Sequence, residues 1–482
     1  MVHLNFFRSM FFKTKLRKVT SIIISILILA ASYLQFYQKT VADNSPNIVF
    51  IVADDLGWKD LSSYGNKHIN TPNIDALATT GMRFNNAFVA APSCASSRAA
   101  LVTGQYPHTN KVTGLTHRYP SKSLKPFYTT LASVLREHGY TTAIDGKWHI
   151  APFYPTLFYG YQERMTGLGI FKGDWQIKSS EDALGFIKRN AADNKPFYLE
   201  LNFLQNHRVD QGKLYYSPDF PVDPDKITVP DYYNLPDWPE IREDVAKFYS
   251  QTMEMDSIIG EVVHALNKLK LRESTMIVFV SDNGPPFPGA KMTLYDRGIG
   301  TPLIINWPGV ITPDSQENAL INTIDIMPSI LQAANITIPE SVQGQSFMPL
   351  LMSNNSADYN ERKQVFSELD YHVNYLPSRS VRTKKWKYIK NYSDDMVGLD
   401  ELSNTPWANK LSRNPNQLWM QPRIQEELYN LVDDPNETVN LVNHPQFQKK
   451  LIELRVSLAK HLRETNDPFL EQSFTYSSTK MN

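Results

Sequence analysis

Two continuous apolar runs, each ending in a cluster of side-chain oxygens, constrain this chain more than any other feature. Residues 47–53 read N-I-V-F-I-V-A and lead into Asp54-Asp55-Leu56-Gly57, while residues 276–280 read M-I-V-F-V and lead into Ser281-Asp282-Asn283-Gly284. A strand that is apolar at every position, not every second one, has both faces covered, as in a parallel sheet between helices. In such sheets ligands bind beyond the carboxyl ends of the strands. Neighbouring carboxylates do not both stay ionised without a cation, so Asp54, Asp55, Asp282 and Asn283 are expected to hold a hard divalent metal. A solvated Asp-Asp turn is the plainer alternative.

Between the two runs, residues 92–104 read P-S-C-A-S-S-R-A-A-L-V-T-G, and Cys94 is the only cysteine of the chain. A helix that starts at Cys94, with Ser93 as N-cap, brings Arg98 to the same face one turn later. Its unpaired N–H groups and positive dipole end suit an oxyanion such as sulfate or phosphate. A lone cysteine is more often a small buried hydrophobe, so the pair gains weight only from its surroundings. Further on, a strand over 140–145 is followed by Gly146-Lys147-Trp148-His149. Lys147 and His149 alternate by two and point the same way from an extended segment. A cation beside an imidazole suits a sulfate oxygen and a proton transfer, although alone such a pair is usually a wet strand end.

C-A-S-S-R-A-A-L-V-T-G resembles the sulfatase signature C-x-P-S-R-x-x-x-[LV]-T-G, and G-Y-T-T-A-I-D-G-K-W-H resembles that family's second signature. The stretch before Cys94, T-P-N-I-D-A-L-A-T-T-G-M-R-F, and the segment after Gly284, P-P-F-P-G-A-K-M-T-L-Y-D-R-G-I-G-T-P-L-I-I-N-W-P-G, are similar to the family as well. The motifs stand in the family's order between residues 46 and 440. Ser96 departs from the usual Pro or Ala, and Asp145 from a small or apolar residue. Around D-N-G-P-P-F-P the likeness runs towards the N-sulfoglucosamine sulfohydrolase branch.

The resemblance implies the fold of the alkaline phosphatase superfamily: a mixed, mostly parallel sheet between helices, with a smaller C-terminal subdomain of antiparallel sheet plus helix. It implies a sulfatase for a sulfated oligo- or polysaccharide, either an algal glycan such as ulvan or carrageenan or a heparan-type glycan. It also implies a formylglycine-generating maturation enzyme that converts Cys94 to formylglycine (3-oxoalanine), and Ca²⁺ held by Asp54, Asp55, Asp282, Asn283 and the residue at 94. Arg98, Lys147 and Lys291 would then meet the sulfate oxygens, and His149 and His207 would move protons. His207 falls in Gln205-Asn206-His207-Arg208, after an aromatic strand over 196–203. A phosphohydrolase of the same superfamily is the rival enzyme reading. It usually carries a Ser or Thr nucleophile and two metals with His ligands. A non-catalytic glycan-binding homologue is the rival outside catalysis, favoured by Ser96 alone.

Acidic and basic residues balance at 49 each, so no strong field favours nucleic acid or a membrane surface. Lys13, Lys15, Arg17 and Lys18 precede an apolar run from Ser21 to Leu34, and Thr40-Val41-Ala42 offers a small-residue cleavage site. That run is short for a spanning helix but right for an export signal. Residues 1–42 are therefore expected to be a cleaved signal, with an uncleaved anchor as the alternative. A single cysteine forbids an internal disulfide, which favours a bacterial periplasmic or secreted protein. A catalytic α/β domain is expected over 46–350, a C-terminal subdomain over 360–465 and a loose tail over 466–482. Helices are expected near 71–81, 131–139, 247–269, 323–331 and 446–463, a single half-exposed strand over 381–390, and a long loop over the site at 210–240.

Overall fold

The computed structural model describes residues 45–116, 122–151, 156–165, 177–209, 212–352, 358–395, 405–413 and 422–471. The expected export signal lies outside them. The main sheet runs in the order β5 (Glu163–Arg164), β4 (Thr141–Gly146), β6 (Phe197–Asn202), β1 (Asn47–Ala53), β7 (Thr275–Ser281), β8 (Leu303–Asn306), β2 (Met82–Phe84), β9 (Ser315–Glu317). Strand β1 is parallel to both β6 and β7, and β4 is parallel to β6, whereas β8 is antiparallel to β7 and β2. The sheet is thus mixed and mostly parallel, as the apolar runs required.

The residues of β1 alternate between two cores. Ile48, Phe50 and Val52 pack with Ala95, Ala99 and Val102 on one face of the sheet. Val49, Ile51 and Ala53 pack with Phe248 and Ile259 on the other. The helices behind these contacts are α2 (Cys94–Thr103), which follows α1 (Pro72–Thr79), and α6 (Pro239–Lys268), which follows α3 (Pro107–Asn110), α4 (Leu131–Glu137) and α5 (Glu181–Asp193). Helix α6 begins eight residues before the expected 247. Pro239 occupies its first turn, and Ile241, Val245 and Phe248 extend its buried stripe. The described part of the expected long loop contains two short 3₁₀ turns. Ser217 donates its backbone N–H to Ser250 of α6, and Tyr232 and Tyr233 donate their hydroxyls to Asp60. Among the described residues no helix is long and apolar enough to cross a membrane.

A second, two-stranded sheet pairs β3 (Ala87–Phe88) with β10 (Ile321–Asn322), and α7 (Ile326–Ala333) follows it. The third sheet is antiparallel, in the order β11 (Val365–Tyr371), β12 (Tyr375–Arg382), β13 (Trp386–Asn391), β14 (Glu426–Asn430), with α8 (Gln448–Glu464) against it. One face packs Val365, Leu369, Leu376, Ile389 and Tyr429 onto Phe88, Val89 and Leu294 of the main body. The other packs Val381, Tyr388 and Leu428 against Leu451, Leu454, Leu458 and Leu462.

Two expectations fail here. The single strand over 381–390 is two strands, because Thr383 Oγ1 accepts from Trp386 N at 2.9 Å and closes a turn between β12 and β13. The expected loose tail beyond 465 is held at its start: Asp467 and Phe469 are buried, and Asp467 Oδ2 accepts from Arg379 Nε at 2.6 Å. Residues 472–482 lie outside the described residues.

Candidate active site

The register Ala53↔Ser281 between β1 and β7 sets the two acidic loops side by side. Asp282 N donates to Ala53 O at 3.1 Å, and Asp55 N donates to Asp282 Oδ1 at 3.1 Å. Asp55 has a φ of 51°, in the left-handed region that non-glycine residues rarely enter. His149 (φ 61°), Asn206 (φ 76°) and Met292 (φ 68°) share that feature, each within two residues of a site side chain or itself one. Such strained residues gather where tertiary structure over-determines the backbone. Gly146 shows why the turn after β4 needs glycine: its φ is 88°, and a Cβ there would lie 2.0 Å from Asn202 O.

Cys94 is the first residue of α2, as expected, and is fully buried. Ser93 occupies the N-cap position but makes no side-chain capping bond. Its hydroxyl instead pairs with His372 Nδ1 at 2.9 Å. His372 comes from the β11–β12 turn and is buried. The third sheet therefore reaches the residue next to Cys94. Sequence reasoning missed His372, whose only signal is a histidine in the turn between two strand-like runs.

Around Cys94, three cations meet three carboxylates. Arg98 Nε donates to Asp282 Oδ2 at 2.7 Å, Lys147 Nζ to Asp54 Oδ2 at 2.6 Å, and Lys291 Nζ to Asp55 Oδ2 at 2.9 Å. Arg98 Nη2 also lies 3.6 Å from Asp54 Oδ1, and the Cys94 thiol donates to Asp55 Oδ1 at 3.7 Å. Asn283 Nδ2 donates to Asp55 Oδ1 at 2.7 Å. These contacts join eight of the ten expected residues. His149 and His207 are buried beyond the carboxyl ends of the neighbouring strands β4 and β6. Thr116 Oγ1 donates to His149 O at 3.1 Å. Next to His207, Asn206 donates to Thr252 of α6 at 2.6 Å and Arg208 to Pro286 O at 2.7 Å, which fixes that turn.

Burial dominates the electrostatics. It pushes the Asp54 carboxyl up to about 8 despite Lys147. For Asp282 burial acts in the same direction, but Arg98 and Lys147 hold that carboxyl below its ordinary value. Burial also pushes the Cys94 thiol far up, so a thiolate there is disfavoured at neutral pH. The donor set fits a hard cation. One ligand atom from each of Asp54, Asp55 and Cys94 lies within 4.8 Å of the others, and Asn283 Oδ1 is buried with no hydrogen-bond partner among the described residues. A cation would give that oxygen a partner and favour the ionised form of Asp54.

A family model described as Sulfatase matches residues 46–336, and one described as N-sulphoglucosamine sulphohydrolase, C-terminal, matches residues 290–417. The chain is 29% identical to human N-sulphoglucosamine sulphohydrolase over 88% of its own length and 91% of that protein's. It is 27% identical to an ulvan-active sulfatase of Formosa agariphila, over 88% of this chain and 75% of that one. A solved protein in complex with D-glucosamine-2-N,6-O-disulfate superposes with a TM-score of 0.66 at 20% identity, covering 88% of this chain and 99% of that chain.

Proposed function

The chain belongs to the sulfatase family and is a sulfuric ester hydrolase, and from that premise we propose that it desulfates a sulfated carbohydrate through a formylglycine made from Cys94, with Ca²⁺ held by Asp54, Asp55, Asp282 and Asn283. The observation that carries this reading is the set of three cations matched to three carboxylates around residue 94. With all three carboxylates ionised, these charges cancel. A divalent cation would leave an excess of two positive charges, which suits an incoming sulfate group.

Ca²⁺ would supply positive charge for the sulfate oxygens and the residue at 94. Formylglycine would supply, when hydrated, one hydroxyl to attack sulfur and a second to expel sulfate. The chain's own side chains do the remaining work. Arg98, Lys147 and Lys291 bind and orient the sulfate oxygens and stabilise their shifting charge. His207 gives a proton to the leaving oxygen or nitrogen, and His149 takes the proton of the hydroxyl that expels sulfate. Full burial of Cys94, Lys147 and Lys291 keeps these charges in a medium where they act strongly.

The substrate class is a sulfated glycan of the ulvan or heparan type, consistent with the relatives above. Export with cleavage after Ala42, a periplasmic or secreted location, and the division into a catalytic part over 46–350 and a subdomain over 360–465 complete the proposal. The test is to express the chain with a formylglycine-generating enzyme, verify the Cys94 peptide by mass spectrometry, and measure sulfate released from ulvan and heparan sulfate oligosaccharides and from 4-nitrophenyl sulfate. Fully converted protein that releases none from any of them would refute the reading.

A further inference from the structure

A cavity of about 240 Å³ opens beside the catalytic loops without including any of the ten residues above. Its wall contains Gly57 and Pro285, each two residues from a proposed metal ligand, and hence at most about 7.6 Å away along the backbone. Across from them stand Lys384 and the 435–437 turn of the third sheet. Four cations line it (Lys59, Arg297, Arg382 and Lys384) against two acids, Asp296 and Glu437.

Both acids are already ion-paired. Asp296 takes Arg382 Nη2 at 2.9 Å and Lys387 Nζ at 2.5 Å, and Glu437 takes Lys387 Nζ at 2.9 Å. Among the described residues Arg297 has no carboxylate partner. It is 8% exposed, its Nε donates to Gly289 O at 2.5 Å and its Nη1 to Asn436 O at 3.1 Å, and its Nη2 has no hydrogen-bond partner among the described residues. The guanidinium also lies over the Tyr295 ring, 4.9 Å from its centroid. Buried charges are normally paired with an opposite charge, so a buried guanidinium held by two carbonyls and a ring face is a site that lacks its anion. Lys59 adds a second cation, which lies 5.5 Å from the Tyr232 ring and has no ion pair among the described residues. Trp58 gives the same wall an apolar face. The cavity lies just below the range of about 300–1,000 Å³ for drug-sized ligands, so it suits one ring and its charged substituent.

We propose that this cavity is a second saccharide subsite, in which Arg297 and Lys59 bind the sulfate or carboxylate of a sugar unit other than the one being desulfated, with Trp58 against the ring. The inference rests on the reading of the chain as a glycan sulfatase. The two sites share the 54–57 and 282–285 loops, so one substrate chain occupies both.

The experiment compares the matured full-length protein with Lys59→Gln and Arg297→Gln on sulfated tetrasaccharides from ulvan and heparan sulfate, and on 4-nitrophenyl sulfate, which is too small to fill both sites. Each variant is expected to raise KM for a cleaved tetrasaccharide about fivefold or more, with kcat and all aryl sulfate kinetics unchanged. Lys59 is partly exposed, so its variant keeps the test open if Arg297→Gln fails to fold. Unchanged KM in Lys59→Gln overturns the inference, as does a parallel loss on aryl sulfate. A wild type that cleaves neither kind of substrate refutes the reading of function instead. The subsite is then judged by calorimetric binding of the tetrasaccharides: weaker binding to Lys59→Gln supports it and equal binding overturns it.

Discussion

Replacing His108 by Gln should loosen the third sheet from the main body in a pH-dependent way. His108 lies in α3, just after the helix that carries Cys94, and is 2% exposed. Its Nδ1 faces Glu368 Oε2 at 2.5 Å and Asp467 Oδ2 at 3.3 Å, and its Nε2 faces Thr465 O at 3.2 Å. A carbonyl only accepts, and both carboxylates accept when ionised, so both ring nitrogens donate and the ring is an imidazolium. Burial opposes that charge, but the Glu368 and Asp467 carboxylates hold its pKa above the ordinary histidine value. The ring thus ties together α3, β11 and the segment after α8.

Removing one member of a buried pair costs about 3–5 kcal/mol. With an unfolding entropy of roughly 2.1 cal/mol/K per residue over 482 residues, that cost is about 3–5 °C in Tm. A histidine with a raised folded pKa contributes stability that is complete below its unfolded pKa of about 6.5 and is lost as pH rises through the folded value. The gap between wild type and His108→Gln should therefore be widest near pH 6 and narrow as pH rises through that value. His461, stacked on Phe366 at 3.8 Å, has a pKa pushed down to about 3 by burial and by the His108 charge; near pH 6 and above the burial part keeps it neutral in both folded proteins, so its cost largely cancels in the difference there. Urea unfolding at a series of pH values reads this gap. A difference under about 1 kcal/mol at pH 6, or one that does not change with pH, refutes the imidazolium assignment.

Asp54→Ala and Asp282→Ala should each abolish sulfate release and Ca²⁺ binding while the chain stays folded, read by calorimetric Ca²⁺ titration and circular dichroism; full activity after exhaustive chelation would sink the metal assignment. Cys94→Ala should release no sulfate, and Cys94→Ser should stop after at most one turnover unless the host oxidises serine, which a burst assay distinguishes. Ser96→Ala should be neutral or stabilising by about 1 kcal/mol in thermal unfolding, because the Ser96 hydroxyl is buried with no partner among the described residues. Gly284→Ala should destabilise the chain by about 1–3 kcal/mol and displace Asn283, because its Cβ would stand 1.9 Å from Arg297 O; wild-type activity and melting would contradict that.

Much of the catalytic half was legible in the sequence because its signals are local. Apolar runs at 47–53 and 276–280 read as buried strands, and the acidic residues that follow them then fall where open α/β sheets bind ligands. Ser93, Cys94 and the Ala-Ala-Leu-Val run mark a helix start by propensity and spacing alone. Tertiary structure decided what depends on distant partners. Ser93 looked like a capping residue, yet its hydroxyl serves His372, 279 positions away. Residues 466–471 looked like a tail because Asp467 shows no partner nearby in sequence, while its partner Arg379 stands 88 positions earlier. The two acidic loops were each visible, but only the parallel pairing of β1 with β7 in the register Ala53↔Ser281 makes them one site. Propensity and periodicity act within a turn or two of chain, whereas ion pairs act across whatever the fold brings within about 4 Å, and no local pattern records which residues those are.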